Sequence, residues 1–414
     1  MSKQQKIELM APAGSYEALM AAIHAGCDSV YFGVEQFNMR ARATMNFTLE
    51  DLEKVGTICK ENKVRSYLTL NTIVYDHDLS AIKTVLDKAK ASGITAVIAS
   101  DQAVIAYTRS IQLEVHISTQ VNITNIETVK FYALFADTMV LSRELSLIQV
   151  KKICDQIEKE NICGPSGKLV EIEIFVHGAL CMAVSGKCYL SLHTANASAN
   201  RGACVQNCRR SYTVIDNEDG HELAIDNEYI MSAQDLCTID FLDQVIESGV
   251  KVMKIEGRGK GADYVKTTVE CYREAIDAYY NNSYTKEKVA DWMERLKRVY
   301  NRGFWSGYYL GQELGEWNDA AGLKKKKKKI YLGKGSNYFD KIQVAEFKLE
   351  SFELNVGDSV LITGPTTGAI ETTITKLHTS VGAVQTAKKS DSCAFKLETP
   401  IRTSDKLYKI VSSN

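Results

Sequence analysis

The chain has 414 residues, with 50 Lys and Arg against 51 Asp and Glu, for a formal net charge of −1. Hydrophobic residues make up 45% and charged residues 24%, the balance of a globular protein large enough for a core and a second domain. Near-neutrality excludes a uniformly basic nucleic-acid coat, so any RNA contact has to come from local patches. No apolar run reaches membrane-span length, and the start, Met1-Ser-Lys-Gln-Gln-Lys6, lacks a signal-peptide core. The expectation is a cytoplasmic protein without membrane association, whose 11 cysteines stay reduced.

Eight short apolar runs, at 7–12, 29–33, 66–71, 96–100, 115–120, 138–142, 171–176 and 252–256, each end in a polar or glycine-containing turn. Helical periodicity fills intervals between them, at 15–25, 48–61, 79–92, 126–135, 147–161 and 238–248. Strands buried on both faces and alternating with helices predict a parallel α/β sheet, and eight units favour a closed TIM-like (β/α)8 barrel. No Gly-x-Gly-x-x-Gly turn follows the first strand, against a dinucleotide-binding sheet.

One interval breaks the rhythm. After the seventh strand the chain runs Gly178-Ala-Leu-Cys181-Met-Ala-Val-Ser-Gly186-Lys-Cys188, then Asn200-Arg-Gly-Ala-Cys204-Val-Gln-Asn-Cys208-Arg-Arg210. Four cysteines among glycines and arginines suit a soft metal centre, because glycine lets the backbone fold tightly and arginine offsets thiolate charge. The plain alternative is four small buried hydrophobes. Spacings of six, fifteen and three residues are less regular than paired zinc knuckles, which favours an iron–sulfur site over zinc without excluding zinc. Cys237 stands in reserve as a ligand, while Cys27, Cys59, Cys154, Cys163, Cys271 and Cys393 read as scattered thiols.

The insertion starts where barrel enzymes build their sites, at the C-terminal strand ends. Other strand ends bring Asn71, Asp101, Gln120, Arg143, Glu144, His177, Glu256 and Arg258 to the same mouth, with Arg40 and Arg42 in the loop after strand two. Singly, each suits a salt bridge or strand cap; together they predict a polar, partly cationic mouth.

Beyond strand eight, 264–280 and 286–300 carry helical patterns, and six lysines follow at 324–329. Such a run reads as a solvated linker or, more sharply, as a contact for RNA phosphate. Short alternating strands at 341–349, 359–363, 369–377, 393–397 and 407–411 then predict a small antiparallel β-barrel. The expected division is a barrel domain at 1–323, a lysine linker at 324–329 and a β domain at 330–414. His-Glu-x-x-His, Gly-x-Ser-x-Gly and Walker motifs are all missing.

Several segments together resemble the collagenase-like family once classed as peptidases of unassigned type, family 32. They are Glu171-Ile-Glu-Ile-Phe-Val-His177-Gly178-Ala-Leu-Cys181 with Ser185-Gly186-Lys-Cys188, Ala11-Pro-Ala-Gly14, Gly26-Cys-Asp-Ser-Val-Tyr31, Ile117-Ser-Thr-Gln120, Leu141-Ser-Arg-Glu-Leu145 and Lys254-Ile-Glu-Gly-Arg258. A Val356-Gly-Asp358 turn adds a resemblance to its tRNA-hydroxylating subgroup, although the stretch between Tyr212 and Ser232 is shorter and 259–262 differs. The resemblance implies prephenate-dependent formation of 5-hydroxyuridine at the tRNA wobble position, and a 4Fe–4S cluster held by Cys181, Cys188, Cys204 and Cys208. On that reading Arg40, Arg42, Arg143 and Arg258 bind prephenate carboxylates or RNA phosphate, and His177 or Glu256 transfers a proton. A collagenase-like peptidase and a non-catalytic iron–sulfur accessory subunit, stabilising or supplying a partner, are the competing expectations.

Overall fold

The computed structural model describes residues 7–35, 37–39, 46–210, 232–311 and 327–412. Strands β1 (Glu8–Pro12), β2 (Ser29–Gly33), β3 (Arg65–Leu70), β4 (Ala96–Ala99), β5 (Glu114–Ile117), β6 (Thr138–Val140) and β7 (Glu171–Ala179) pair in parallel, each with the next. Strand β8 (Asp235–Cys237) stands outside this series, and β9 (Val252–Ile255) pairs in parallel with both β1 and β7. The ring of eight parallel strands is thereby closed, as the alternating runs predict.

Helices α1 (Tyr16–His24), α2 (Asp51–Glu61), α3 (Leu79–Ala91), α4 (Gln102–Ser110), α5 (Ile126–Ala133) and α6 (Leu147–Lys159) follow β1 to β6 in turn. Their starts are written locally. The Ser15 hydroxyl accepts from the Ala18 amide, and Ser146 with Gln149 forms a reciprocal capping box. Each such cap contributes about 1 kcal/mol. Apolar strand residues such as Ile172, Ile174, Met253 and Ile255 join the main core. The alternate residues of the same strands point into the barrel, because side chains alternate along a strand.

That interior is more charged than the apolar runs suggest. A small cluster of Met10, Tyr31, Tyr67, Ala96, Ile98 and Val252 shares it with Glu173, Lys254 and His116. At the N-terminal strand ends Arg65 bonds Glu8 at 2.8 Å and Glu114 at 3.0 Å, and the Tyr67 hydroxyl donates to Glu8 at 2.7 Å.

The expected insertion after the seventh strand has a structural neck. β8 runs antiparallel to the end of β7, pairing His177 with Cys237 and Ala179 with Asp235. A two-residue strand, β10 (Phe304–Trp305), adds to β8 in parallel. Within the insertion the described residues hold a short helix, α7 (Leu190–Ala195), and turns with Asn196, Gly202 and Gln206 in left-handed conformation. Helices α8 (Leu242–Glu247), α9 (Ala262–Tyr280) and α10 (Lys286–Arg298) complete the barrel domain. Among the described residues no helix is long and apolar enough to cross a membrane.

The second domain is antiparallel, as predicted. Its long strand β11 (Lys327–Phe339) pairs with β12 (Val344–Leu349) and with the last strand, Lys406–Ser412. Among the described pairings the eight-stranded sheet keeps two edges, at Gly368–Thr373 and Gly382–Val384, instead of closing on itself. Leu332, Phe347, Val360, Phe395 and Leu407 lie in its core. β11 begins inside the lysine run, so the end of that run is strand and not linker. Ala21 and Ala262 of the barrel domain meet Leu361 and Ala369 of the β domain, and Lys329 bonds Asp263 of α9 at 2.8 Å.

Candidate functional site

The insertion lies against the loops that leave β3, β5 and β6. The Asn122 amide donates to the Ser185 carbonyl at 3.3 Å, the Ile73 amide to the Asn200 carbonyl at 3.0 Å, and the Arg201 guanidinium to the Ile73 carbonyl at 3.1 Å. The same guanidinium lies 4.1 Å from the centre of the Tyr75 ring and pairs with Asp78. Gly186 is required where the insertion meets the mouth. Its φ is +75°, and a Cβ there would lie 2.2 Å from Gln120 Oε1.

All four predicted ligands are free thiols, Cys181 exposed and Cys188, Cys204 and Cys208 half-buried. Burial pushes the Cys208 thiol above its usual value, and negative charge at Cys181, Cys204 and Cys188 pushes the same way, against a downward pull from Arg209. Cys208 is thus within electrostatic range of the other three cysteines. Ser191 lies beside one of them, its hydroxyl donating to Cys204 Sγ at 3.8 Å and accepting from the Val205 amide at 3.1 Å. The approach stops short of ligation distance: among the described residues no three His, Cys, Asp or Glu side chains are set to hold a metal ion. The donor set itself fits a thiolate-bound metal centre. Four mutually repelling thiolates beside arginine gain from a multivalent cation. Cys237 does not join them; it is buried, accepts from the Tyr272 hydroxyl at 3.8 Å and is a core thiol.

Below the insertion, cations and aromatic rings alternate. The Arg143 guanidinium lies 4.2 Å from the centre of the Phe175 ring, and Lys254 Nζ lies 5.4 Å from the same ring and 4.5 Å from that of Tyr31. Arg258 lies 5.8 Å from the Tyr31 ring and donates to Asn38 Oδ1 at 3.0 Å and Thr69 Oγ1 at 2.7 Å. Burial lowers the Lys254 pKa and the charges of Arg258 and Arg143 lower it further, while Glu173, bonded at 2.7 Å, holds it up. Arg143 and Arg258 thus lie within electrostatic range of the buried Lys254–Glu173 pair. A cavity of about 90 Å³ links Arg143 to Cys181 and is lined by Leu180, Ser185, Trp305 and Tyr308. Arg143 Nε and Trp305 Nε1 are both buried there without a hydrogen-bond partner, although Arg143 also donates to the Ala179 carbonyl at 3.0 Å. Buried donors left over at one cavity call for an acceptor oxygen from a ligand or water.

The other expected mouth residues separate. Asp101 caps α4 and accepts from the Val74 amide at 3.0 Å; Asn71 bridges the Met39 amide and the Ser118 hydroxyl. Arg40 and Arg42 lie outside the described residues. His177 lies on the other side of its strand. A register shift between Phe175 and His177 turns the ring out of the barrel, into a core of Tyr264, Tyr272 and Phe304. It is 1% exposed, and burial lowers its pKa to about 3, so it is neutral and walled off from the mouth. Glu256 is half-buried on the same side, its charge felt by His177, Lys260 and Arg302.

Sequence reasoning passed over Lys254, Glu173 and Trp305. The signal for the first two is an ionisable residue in an apolar strand, Val-Met-Lys-Ile and Glu-Ile-Glu-Ile, where charge survives only if paired.

A curated relative named "Collagenase", from Porphyromonas gingivalis strain W83, is 54% identical over 402 residues, 97% of each chain. The Bacillus subtilis "tRNA hydroxylation protein P1" is 31% identical over 368 residues, 87% of this chain and 84% of that one. The Escherichia coli "23S rRNA 5-hydroxycytidine C2501 synthase" is 33% identical over 274 residues, 66% of this chain and 40% of the other. The model of peptidase family U32 matches residues 14–319, the barrel from the end of β1 onward with its cysteine insertion. The chain belongs to peptidase family U32.

Proposed function

We propose that this protein hydroxylates RNA, converting the wobble uridine of tRNA to 5-hydroxyuridine with prephenate as cosubstrate and a 4Fe–4S cluster on Cys181, Cys188, Cys204 and Cys208. The observation that supports the reading is an insertion carrying four cysteines, up to 27 positions apart, beside a cationic barrel mouth, with the other three within electrostatic range of Cys208. Relatives named for hydroxylation of tRNA and of ribosomal RNA support the reaction class. The cluster would supply one-electron or Lewis-acid chemistry. A four-iron core takes one thiolate per iron, so it accepts a wider set of sulfurs than a single ion does.

The chain's own part is binding and orientation. Arg143, Lys254 and Arg258 supply positive charge for the two carboxylates of prephenate. Asn38 and Thr69 fix the Arg258 guanidinium, and Glu173 keeps Lys254 protonated despite its burial. An anticodon loop presents unstacked bases, so a uridine can reach the mouth without duplex melting. Nucleoside mass spectrometry of tRNA from cells lacking the protein should show 5-hydroxyuridine and its derivatives gone, and restored by the wild-type chain. An unchanged profile in cells without a paralogue refutes the proposal.

The name of the 54%-identical relative favours a second reading, a peptidase. A Cys181–His177 nucleophile pair is opposed by the burial of that histidine. Collagen or gelatin cleavage by pure protein, abolished by Cys181→Ser, would establish it.

A further inference from the structure

A cleft of about 600 Å³ separates α9 and α10 from the β domain. Six of its lining side chains are cationic (Lys260, Lys266, Arg295, Lys297, Arg298 and Lys329) and three are carboxylates, Asp263, Glu270 and Glu371. This excess is local, in a chain whose net charge is −1. Three of the cations are strongly matched within the wall: Lys266 with Glu270 at 2.6 Å, Arg295 with Glu274 at 2.6 Å, and Lys329 with Asp263 at 2.8 Å. Lys297 has only an exposed partner, Glu294 at 3.0 Å, a pair of small worth in water. Arg298 is exposed with no ion pair among the described residues, and Lys260 rests 3.4 Å from the centre of the Tyr300 ring.

The cleft's position gives these charges meaning. Lys260 sits in the loop after β9, a barrel-mouth loop, and its ammonium feels the charges of Arg302 and of Arg209, the residue after Cys208. Asp235 and Glu256 act on the same ammonium more strongly, so the cleft's cationic excess ends at Lys260, where the cleft meets the barrel mouth. The Lys329–Asp263 pair and the seam of Ala21, Ala262, Leu361 and Ala369 hold the two walls together, so the cleft is preformed. A basic last turn on α10 also complements the helix dipole. That accounts for part of the charge on one wall, but not for Lys260, Lys266 or Lys329.

We infer that the interdomain cleft is the docking track for the phosphodiester backbone of the RNA substrate, holding the molecule by its phosphates while one base reaches the barrel mouth. The inference rests on the RNA-modifying reading above and adds to it where the rest of the RNA lies. Backbone contacts supply affinity without reading sequence, the role unpaired cations along a groove suit. The end of the lysine run, Lys329, forms part of the track's far wall.

The test is binding of the full chain to a tRNA transcript across a salt series, with thermal melting as a folding check. Arg298→Glu with Lys297→Glu should weaken binding at least tenfold and flatten the salt dependence by ~0.7–0.9 log units for each phosphate that is no longer neutralised. Lys260→Gln, which reverses no charge, should weaken binding in the same direction. Lys151→Glu, on the exposed face of α6, should change neither. Variants that fold and bind tRNA as tightly as the wild type, while the wild type binds and hydroxylates it, would overturn the cleft and leave the hydroxylase reading standing. A wild type that binds no RNA would sink both. A polyglutamate peptide displacing tRNA at equal charge would assign the cleft to acidic polypeptides and overturn the inference.

Discussion

The two ends of the barrel interior carry similar residue types under opposite electrostatic terms. At the N-terminal end charges are matched: Arg65 lies between Glu8 and Glu114, and His116 between Glu114 at 3.1 Å and Glu173 at 3.7 Å. At the mouth, Lys254 bonds Glu173 at 2.7 Å, while Arg143 keeps its Nε buried without a hydrogen-bond partner among the described residues. Matched buried charge is structure. A buried cation with a donor left over, as Arg143 has in its Nε, is poised for a ligand oxygen. The two fully buried histidines show the same rule. Two neighbouring carboxylates raise His116 to about 9, whereas His177, among aromatic rings, falls to about 3.

Breaking the mouth should abolish function while sparing the fold. Serine at each of Cys181, Cys188, Cys204 and Cys208 should remove bound iron and hydroxylation together, with the melting transition of the barrel retained; iron analysis beside nucleoside mass spectrometry reads both. Breaking the buried Lys254–Glu173 pair should cost stability as well as function. Lys254→Met leaves buried Glu173 with only the His116 ring at 3.7 Å and should cost about 3 kcal/mol in denaturant unfolding. Lys254→Met with Glu173→Leu should recover most of that stability without recovering activity.

Smaller changes sharpen the comparison. Arg258→Lys keeps the charge but loses the fork that bonds Asn38 and Thr69 together, and should raise KM for the carboxylate cosubstrate about tenfold with little change in stability. His116 gives a pH signature. Its folded pKa lies above the unfolded value of 6.5, so its stabilisation is complete below 6.5 and is lost as pH rises through about 9. The melting-temperature gap between wild type and His116→Gln should therefore close over that window; a constant gap would show the histidine uncharged. Trp305→Phe keeps the ring packing but removes one leftover donor, and should weaken cosubstrate binding by ~1 kcal/mol.

Much of the barrel was legible because its strands are buried on both faces. Stretches such as 30–32 and Ala96–Ala99 carry no charged or hydrogen-bonding aliphatic side chain, and Ser15 and Ser146 mark helix starts by their own hydrogen bonds. What escaped depends on pairing across long separations. β7 continues to Ala179 because β8, far along the chain, bonds its end, and the register shift that expels His177 leaves no mark on local periodicity. The cysteines were legible as a set because their number and spacing are chemical facts of the chain. Lys254 was not, because its importance lies in Arg143 and Arg258, one of them more than a hundred positions away.

The antiparallel seam between β7 and β8 has one more consequence. By joining both feet of the insertion it acts as a clasp, so the barrel sees the same two anchor points whatever hangs beyond them. Lengthening such a tethered loop twofold costs only ~0.6 kcal/mol in closure entropy. Relatives can therefore trim or extend the sequence between the anchors, retuning which polynucleotide is admitted, on a chassis whose folding does not register the exchange.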